Sequence, residues 1–277
     1  MINNILDQKF LADNDESLFS HGGKRLKRKK IKNPIFSIIT VVLNNEKYLE
    51  ETINSVLNQS YKNFEYIIID GGSSDQTLNI IKKYEDRIDY WISSKDEGIY
   101  DAFNKGMSLS YGNFIGIINS DDIYTKDALK TIAGYIENNP TVDFFFGSVK
   151  KHWGVLSGYY PKKIKYSWGF YSSHSTGFFL KRSAAERNGL YNLKYKYHSD
   201  YDYFYRLIVK NKLIGMATKE SEITGIFRRG GFSSTISFRK LFKEELQIRI
   251  DNNQNKFLIL LIFMYKFLVH FKKIIKG

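Results

Sequence analysis

The chain has 277 residues, 43% of them hydrophobic, which suits one large folded domain or one domain with appendages. It has no cysteine, so a disulfide scaffold, a thiolate metal site and a cysteine nucleophile are excluded. The formal net charge of +13 predicts an anionic partner: a nucleic acid, an anionic membrane surface or a phosphorylated substrate.

The first 33 residues are predicted to form a basic, polar extension. Seven lysines and arginines lie between residues 24 and 32, ahead of the first run with strand character. Residues 1–20 contain no apolar run of the kind found in secretory signal peptides. The extension is either a solvated tail or an electrostatic tether, because each basic residue near an anionic membrane contributes on the order of 1 kcal/mol.

From residue 35 onward, short β-rich runs alternate with segments of helical periodicity. Strands are predicted at residues 36–43, 64–69, 88–92 and 114–118, and helices at residues 49–57, 78–84 and 100–110. This alternation predicts an α/β fold, with a mostly parallel sheet and helices on both faces.

Acidic side chains follow three consecutive predicted strands. Asp70 comes after the second strand, Asp96 and Glu97 after the third, and the run 119–122 after the fourth. A single Asp-Gly turn is most often a solvated turn, but ligands bind at the carboxyl ends of the strands in open sheets of this kind. The three clusters together predict an acidic pocket in an otherwise basic protein.

The last cluster has the character of a site for Mg²⁺ or Mn²⁺. The run Asn119-Ser120-Asp121-Asp122 follows a buried strand, which brings its carboxylates to the edge of the sheet. Hard divalent cations prefer carboxylate oxygens and commonly bridge one or two of them to a diphosphate. Such a cation neutralises the charge that develops on a leaving diphosphate.

This run resembles the DxD motif of glycosyltransferases with the Rossmann-like GT-A fold. The segment SIITVVLNNEKYLEETINSVLNQSYKNFEYIIIDGGSSDQT is similar to the nucleotide-binding half of family 2 glycosyltransferases, and SSKDEGIYDAFNKGMSLSYGNFIGIINSDD is similar to one of their subgroups. The resemblance covers about residues 35–235. It implies metal-dependent, inverting transfer of a sugar in surface polysaccharide biosynthesis. The implied donor is UDP-hexose or UDP-N-acetylhexosamine, and the implied acceptor is lipid-linked or a glycan.

The resemblance also implies roles for individual residues of the donor half. Asp121 is the implied metal ligand and Asp122 the second choice, because Asn119 stands where the motif has its first Asp. Phe103 stands where many relatives have an Arg, and Asp70 would bind the uracil edge. The donor-binding residues implied in this way are Val42, Asn44, Asp70, Asp96, Asp101, Asn104, Asn119 and Ser120.

The second half is expected to bind the acceptor and to supply the catalytic base. Asp200 precedes a predicted helix at residues 203–211, and the pattern alone fits a helix cap and a base equally well. Family 2 enzymes carry their base in an acidic pair at this place, so the resemblance favours Asp200 as the base. An inverting transfer needs one such group to take the proton of the acceptor hydroxyl.

Two further features of the second half are assigned by the resemblance. It implies that His174 lies beside the acceptor, although a lone histidine is usually structural. It also implies that the loop containing Arg228, Gly230 and Gly231 lies near the diphosphate, where backbone N–H groups and a guanidinium would bind phosphate oxygens. A plain turn is the alternative for this loop.

Residues 239–277 are predicted to be a helical segment that associates with a membrane. The stretch 257–271 is apolar apart from Lys266 and His270, but a span needs about 20 apolar residues. Lys266, His270 and Lys273 fall on one helical face, which is typical of a helix in the membrane interface; docking on the catalytic domain is the alternative. With a lipid-linked acceptor, this predicts a cytoplasmic protein held peripherally at the inner face of the cytoplasmic membrane.

These inferences divide the chain into the extension, a glycosyltransferase domain at residues 34–238 and the C-terminal segment. Within the domain, residues 34–122 would bind the nucleotide and residues 123–238 the acceptor. A sugar nucleotidyltransferase is disfavoured because no Gly-rich, basic signature follows the first strand. A nucleic-acid-binding module is disfavoured by the acidic rim, so no nucleic acid partner is expected. Asn119 and Phe103 leave open a glycosyltransferase-like scaffold with impaired catalysis.

Overall fold

The computed structural model describes residues 19–27, 33–166, 175–228 and 237–276. Strands and helices alternate in the first half, as the periodicity predicts. The elements up to residue 124 are β1 (Ser20–Gly22), α1 (Lys24–Lys27), β2 (Phe36–Val42), α2 (Leu49–Leu57), β3 (Phe64–Asp70), α3 (Thr77–Lys83), β4 (Tyr90–Ser93), α4 (Ile99–Ser108), β5 (Phe114–Asn119) and β6 (Ile123–Tyr124).

The second half has short strands and ends in two longer helices. Its elements are α5 (Ala128–Asn138), β7 (Phe144–Phe146), β8 (Ser148–Lys151), β9 (Gly154–Leu156), α6 (Pro161–Tyr166), a 3-10 turn (Ser175–Gly177), β10 (Phe178–Lys181), α7 (Arg182–Asn188), α8 (Ser199–Tyr205), a π-helical turn (Arg206–Lys210), β11 (Gly215–Ala217), β12 (Ile223–Ile226), α9 (Phe238–Asp251) and α10 (Lys256–Lys276).

The central sheet has eight strands in the order β1-β4-β3-β2-β5-β10-β7-β11, and β6, β12, β8 and β9 form a smaller second sheet. Strands β4, β3, β2 and β5 are parallel to one another. The chain runs outward from β2 to β4 and then returns to place β5 on the other side of β2. Such a reversal of strand order leaves a crevice at the carboxyl ends of the strands, where ligands bind.

Both faces of the sheet are covered. Ile39 and Val41 of β2 pack into one apolar core, with side chains of α4, while Ile38 and Val42 pack into the other, with side chains of α2 and α5. Successive side chains of a strand point to opposite faces, so a continuously apolar strand needs cover on both sides. The predicted α/β class, with a mostly parallel sheet between helices, is confirmed.

Two predicted elements differ from those observed. The third strand is Tyr90–Ser93 rather than 88–92, because the N–H of Ile88 bonds back to the Tyr84 carbonyl at 3.0 Å in the turn after α3. The helix expected at 203–211 is α8 followed by the π-helical turn, in which the Asn211 N–H bonds the Arg206 carbonyl at 2.8 Å.

Part of the expected N-terminal extension belongs to the folded domain. Strand β1 pairs with β4 at one edge of the central sheet. Arg25 of α1 pairs with Glu65 of β3 at 2.8 Å, and its guanidinium lies 4.3 Å from the centre of the Tyr111 ring. The boundary at residue 33 is therefore wrong for residues 20–27. Residues 1–18 and 28–32 lie outside the described ranges.

The other predicted boundary, at residue 238, does not separate α9 from the domain. Ile248 lies in the core beside α8, and Arg249 is fully buried. The Arg249 guanidinium pairs with Glu245 at 2.8 Å and lies 5.0 Å from the centre of the Tyr201 ring. Helix α9 thus belongs to the folded domain, and α10 is the part of the predicted membrane-associating segment that follows it.

Helix α10 folds back along α9 and places two of its polar side chains, Lys266 and His270, against it. Lys266 pairs with Glu245 at 2.5 Å, and the ring of His270 packs on that of Phe238 at 4.8 Å. The face with Lys266 and His270 therefore meets α9, and the exposed face is apolar. Within the described ranges, no helix combines the length and apolar character that a membrane span requires. The large exposed side chains of α10 are Phe257, Leu260, Leu261, Phe263, Met264, Tyr265, Leu268, Val269 and Phe271.

Candidate active site

The carboxyl ends of four neighbouring strands meet at one edge of the central sheet. Val42 of β2 is in register with Asp70 of β3, Asp70 is in register with Ser93 of β4, and Asn119 of β5 lies beside Val41. Adjacent strands lie about 4.8 Å apart, so the side chains that follow these ends share one crevice.

The loops after β2 and β3 are tied to each other. Asn44, at a φ of 50°, accepts a hydrogen bond from the Ser74 N–H at 2.8 Å and donates its own N–H to the Ser73 hydroxyl at 2.8 Å. Val42 is buried beside them, and the intervening Leu43 is 57% exposed. An exposed leucine on a fixed loop is suited to pack against the flat face of a nucleobase.

Asp70 organises the second loop from within. Its carboxylate accepts hydrogen bonds from the hydroxyls of Ser73 and Ser93, both at 2.5 Å, and from the Ser73 N–H at 3.1 Å. The side chain is fully buried. Asp70 therefore holds the loop in shape, and the expected contact with a uracil would require the groups that cover this side chain to move.

Asp96 lies directly beside that loop. A Cβ atom at Gly71 would come within 2.6 Å of the Asp96 carboxylate, so only glycine allows this approach. Burial raises the pKa of Asp96, and the hydrogen bond from the Gly98 N–H acts against that rise. Asp101, in the first turn of α4, pairs with Lys105 at 3.1 Å. This side of the crevice thus holds two carboxylates and one ammonium group.

Asn104 does not face the donor side. Its amide nitrogen donates to the Tyr191 carbonyl at 2.9 Å, and its amide oxygen accepts from the Tyr191 N–H at 2.8 Å. Because both polar ends are used inside the protein, Asn104 has a structural role in this arrangement, and the donor-binding role implied for it stays a prediction. Phe103 is also buried, with its ring 5.4 Å from that of Tyr191, so this position offers no group to a diphosphate.

The run after β5 divides into a half-buried part and a buried part. Ser120 is buried, and its hydroxyl accepts a hydrogen bond from the Asn45 amide at 2.8 Å, which ties this run to the loop after β2. Asp121 is half-buried. Burial raises the pKa of Asp121, while the charge of Arg228 acts in the opposite direction.

Asp122 is held by hydrogen bonds inside the protein. Its carboxylate accepts hydrogen bonds from the Thr176 hydroxyl at 2.5 Å and from the Arg228 N–H at 3.1 Å. The side chain is fully buried, and this burial raises its pKa to about 7. In this structure Asp122 therefore links the rim, the 3-10 turn and the Arg228 segment, and its expected role as the second metal ligand stays a prediction.

A divalent cation fits this rim through few protein ligands. Among the described residues, no three His, Cys, Asp or Glu side chains converge on one point. The buried side-chain oxygen of Asn119, two residues from Asp121, has no hydrogen-bond partner in the described part of the chain. A cation or a ligand hydroxyl would complete such an orphaned oxygen beside a half-buried carboxylate. The groups present thus fit Mg²⁺ or Mn²⁺ bound mainly through a diphosphate.

Arg228 is held near the rim by Glu51 of α2 and by Tyr48, the residue that precedes α2. Its guanidinium lies 2.5 Å from the Glu51 carboxylate and 4.2 Å from the centre of the Tyr48 ring. A guanidinium whose charge acts on Asp121 is suited to bind diphosphate oxygens. The other predicted residues of this group, His174, Gly230 and Gly231, lie outside the described residues.

Asp200 is the second residue of α8 and interacts with Tyr100 of α4. Its carboxylate accepts a hydrogen bond from the Tyr201 N–H at 2.7 Å and interacts with the Tyr100 hydroxyl. Burial raises the pKa of Asp200 to about 7. The N-cap residue of α8 is His198 and no side chain caps the helix, so the helix-cap alternative is not supported. A carboxylate with a pKa near 7 is suited to accept a proton.

Sequence reasoning missed the residues that hold this site from a distance. The Glu244 carboxylate of α9 accepts three hydrogen bonds, at 2.6 to 2.7 Å, from the backbone N–H groups of residues 196–198, which lead into α8. Thr176 anchors Asp122, and Tyr48 supports Arg228. No local pattern marks such residues, since their partners lie 46 or more residues away along the chain.

Two relatives illustrate the likeness in sequence. A PGL/p-HBAD biosynthesis glycosyltransferase of Mycobacterium bovis is 26% identical over 230 residues, which cover 76% of this chain and 83% of the relative. An uncharacterized glycosyltransferase of Methanocaldococcus jannaschii is 28% identical over 222 residues, which cover 76% of this chain and 77% of the relative.

Two solved structures illustrate the likeness in fold. Residues 1–349 of S. aureus TarS, in complex with UDP-GlcNAc, give a TM-score of 0.61 at 20% identity, over 78% of this chain and 65% of that one. The match spans 39% of a longer TarS chain. Mannosyltransferase PcManGT from Pyrobaculum calidifontis, in complex with GDP-Man and Mn²⁺, gives a TM-score of 0.59 at 15% identity. This match covers 92% of this chain and 75% of that one.

The family model of Glycosyl transferase family 2 matches residues 37–201. This match covers more than half of the chain, from the second residue of β2 to the residue after Asp200. The chain therefore belongs to glycosyl transferase family 2, and its sheet and helices have the GT-A fold.

Proposed function

We propose that this glycosyltransferase moves one sugar, with inversion, from a UDP-linked donor to a hydroxyl group of a lipid-linked glycan in surface polysaccharide biosynthesis. The observation that carries the proposal is the contact of Asp200 with α4. It brings a carboxylate of the acceptor half to the helix whose first turn holds Asp101, next to Asp96. One crevice would thus offer groups both for a leaving diphosphate and for an attacking hydroxyl.

The donor would bind across the ends of β2, β3 and β5. The loop with Leu43 and Asn44 would pack against the base, and Asp96 and Asp101 would bind the nucleoside hydroxyls. Arg228 would bind the diphosphate once it leaves Glu51. This last exchange replaces one charge-assisted contact by another, so it keeps the guanidinium paired throughout.

Asp121, with Asn119 beside it, would hold Mg²⁺ or Mn²⁺ together with the donor diphosphate. When bound, such a cation neutralises the charge that grows on the leaving diphosphate. The protein contributes only one half-buried carboxylate of this run, so most of the other ligands must come from the diphosphate and from water, as is usual for Mg²⁺.

Asp200 would act as the general base. Its ionised carboxylate takes the proton of the acceptor hydroxyl as that oxygen forms its bond to the anomeric carbon. The bond between the anomeric carbon and the diphosphate oxygen breaks on the opposite face, and the electron pair leaves with the diphosphate. Because burial raises the pKa of Asp200 to about 7, the ionised form predominates only above that pH.

The exposed face of α10 supports an anionic membrane as the surface on which the enzyme works. The apolar side chains of this face would enter the acyl boundary, and each contributes roughly 1.5–3 kcal/mol if fully buried. Lys256 precedes them in sequence, and Lys272, Lys273 and Lys276 follow them, so cations flank the apolar stretch. This supports peripheral attachment at the cytoplasmic face, where the acceptor lipid would be presented.

Calorimetry with UDP, with and without Mn²⁺, tests the donor and the metal. We expect UDP with Mn²⁺ to bind at least tenfold more tightly than UDP with EDTA, or than GDP with Mn²⁺, a difference of about 1.4 kcal/mol. Equal affinities for UDP and GDP would reject the uridine donor, and equal affinities with and without EDTA would reject the metal. Binding without transfer of glucose or N-acetylglucosamine to any extracted lipid acceptor would favour the impaired scaffold.

A further inference from the structure

Helix α4 connects the two halves of the site through its two faces. Asp101 and Lys105 lie on the side of Asp96, at the donor end of the crevice. Tyr100 and Asn104 point the other way, into the acceptor half, and each is only 8% exposed. One helix therefore carries side chains toward the donor carboxylates and toward the segment around Asp200.

The acceptor-side face of α4 contacts Tyr191 at both its backbone and its ring. Asn104 holds the backbone N–H and carbonyl of Tyr191 in a reciprocal pair of hydrogen bonds at 2.8 and 2.9 Å. The Tyr191 ring stacks on Tyr100, 5.7 Å between centroids, and on Tyr203 of α8, 4.1 Å between centroids. Three stacked rings thus join α4 to α8, and all three are buried. Aromatic pairs of this geometry add rigidity beyond the area they bury.

The hydroxyl of Tyr100 ends this stack at Asp200. It donates to the Tyr197 carbonyl at 3.0 Å, three residues before Asp200, and interacts with both the backbone N–H and the carboxylate of Asp200. A phenol has one proton, so this hydroxyl serves either the carbonyl or the carboxylate at a given moment while it accepts from the N–H. Tyr100 therefore contacts both the main chain and the side chain of Asp200.

We propose that Tyr100 is a positioning residue, which fixes the Asp200 carboxylate relative to the donor end of α4. The inference rests on the proposed role of Asp200 as base. Neither the sequence pattern nor the family match assigns a role to Tyr100. Its place on the helix that also carries Asp101 couples the location of the base to the donor side, although the two carboxylates are 99 residues apart in sequence.

The groups that face Asp200 come from three elements. Tyr100 reaches it from α4, the charge of Glu244 acts on it from α9, and the Tyr201 N–H bonds it within α8. Burial and the charge of Glu244 disfavour ionisation, whereas the hydrogen bonds from the Tyr201 N–H, the Tyr100 hydroxyl and the N–H of Asp200 itself favour it. Loss of the Tyr100 hydroxyl therefore has a defined sign: the pKa of Asp200 must rise.

Titration of the Asp200 carboxyl by ¹³C NMR tests this role without any substrate. In protein labelled at the aspartate carboxyl carbon, the Asp200 signal is the one that Asp200→Asn removes. Tyr100→Phe should raise the pKa of Asp200 by on the order of one pH unit. The control is Tyr195→Phe, which also removes a buried tyrosine's hydrogen bond to a carboxylate, to Asp251 at 2.6 Å, and should leave Asp200 unchanged.

An unchanged pKa of Asp200 in folded Tyr100→Phe protein overturns the positioning role. If Tyr100→Phe does not fold, the unaltered protein decides: the ¹³C signal of the Tyr100 ring carbon that bears the hydroxyl should shift as Asp200 titrates, and Asp200→Asn should abolish this shift. A Tyr100 signal that does not shift as Asp200 titrates overturns the inference as well. The proposed function fails separately, if Asp200→Asn retains its transfer rate while these titrations behave as expected.

Discussion

The ammonium group of Lys266 lies 2.5 Å from the Glu245 carboxylate, across the contact between α10 and α9. Glu245 also pairs with the fully buried Arg249, so one carboxylate joins the last helix to the interior of the domain. The charges of Lys266 and Arg249 hold the pKa of Glu245 below its usual range despite its burial. This pairing fixes which face of α10 is turned outward, and that face is apolar.

Charge placed on the exposed face of α10 should abolish binding to membranes. We expect the double variant Leu260→Glu, Leu268→Glu to stay in the supernatant with anionic vesicles, whereas the unaltered protein sediments. Both side chains are at least half exposed, so the free energy of unfolding should change by less than about 0.5 kcal/mol. The control is Leu190→Glu, at a leucine that is 44% exposed on the loop after α7.

Sedimentation of the double variant as well as the unaltered protein would reject the membrane role of this face. If the unaltered protein is a dimer that does not bind vesicles, and the double variant is a monomer, the face is instead a contact between two copies. Truncation before α10 is a poorer test, because Ile259 and Ile262 are buried and the pairing of Lys266 would be lost.

Substitution of Asp121 and substitution of Asp122 should have different effects. Asp121→Asn should weaken UDP binding in Mn²⁺ by tenfold or more and leave the free energy of unfolding nearly unchanged. Asp122→Ala should lower the free energy of unfolding by about 1–3 kcal/mol, because it leaves Thr176 and the Arg228 N–H without their acceptor.

Calorimetry and urea denaturation, applied to both variants, separate these two effects. Asp127→Asn, at an exposed aspartate a few residues further on, serves as the matched control. A metal-dependent loss of affinity in Asp122→Ala with unchanged stability would confirm Asp122 as a ligand.

The transfer rate should depend on the ionisation of Asp200. Since burial raises the pKa of this carboxyl to about 7 and the base must be ionised, kcat/KM should fall tenfold per pH unit below about 7. Asp200→Asn should lower the transfer rate by on the order of 10²–10⁴-fold while UDP binds as before. A rate near that of the unaltered enzyme would make Asp202 the next residue to examine, although its carboxylate already pairs with Arg206 at 2.8 Å.

The N-terminal contact should stabilise the domain through one residue of its basic run. Arg25→Met leaves the buried Glu65 carboxylate without its cation, so the free energy of unfolding should fall by about 3 kcal/mol. Lys27→Met removes a pair with Asp86 whose two side chains are mostly exposed, and it should change little. Urea denaturation measures both, and equal effects would show that Glu65 does not depend on Arg25.

The sequence by itself determined the alternation of strands and helices, the parallel core of the sheet and the rim on which Asp70, Asp96 and Asp121 lie. These features depend on local periodicity and on the rule that ligands bind at the carboxyl ends of parallel strands. Residue types in a short run were enough to predict them, and the family resemblance pointed to Asp200.

Only the tertiary structure decided how each of these side chains is used. Asp122 and Asn104 look like ligands in sequence, but each is bonded to partners 54 to 106 residues away, and Lys266 faces a helix rather than water. Arg25, expected in a basic extension, likewise pairs with the buried Glu65, 40 residues further along the chain. The physical reason is common to all four. A polar group loses its hydration when the chain packs, so it must be paired there, and the partner is chosen by the packing of distant elements.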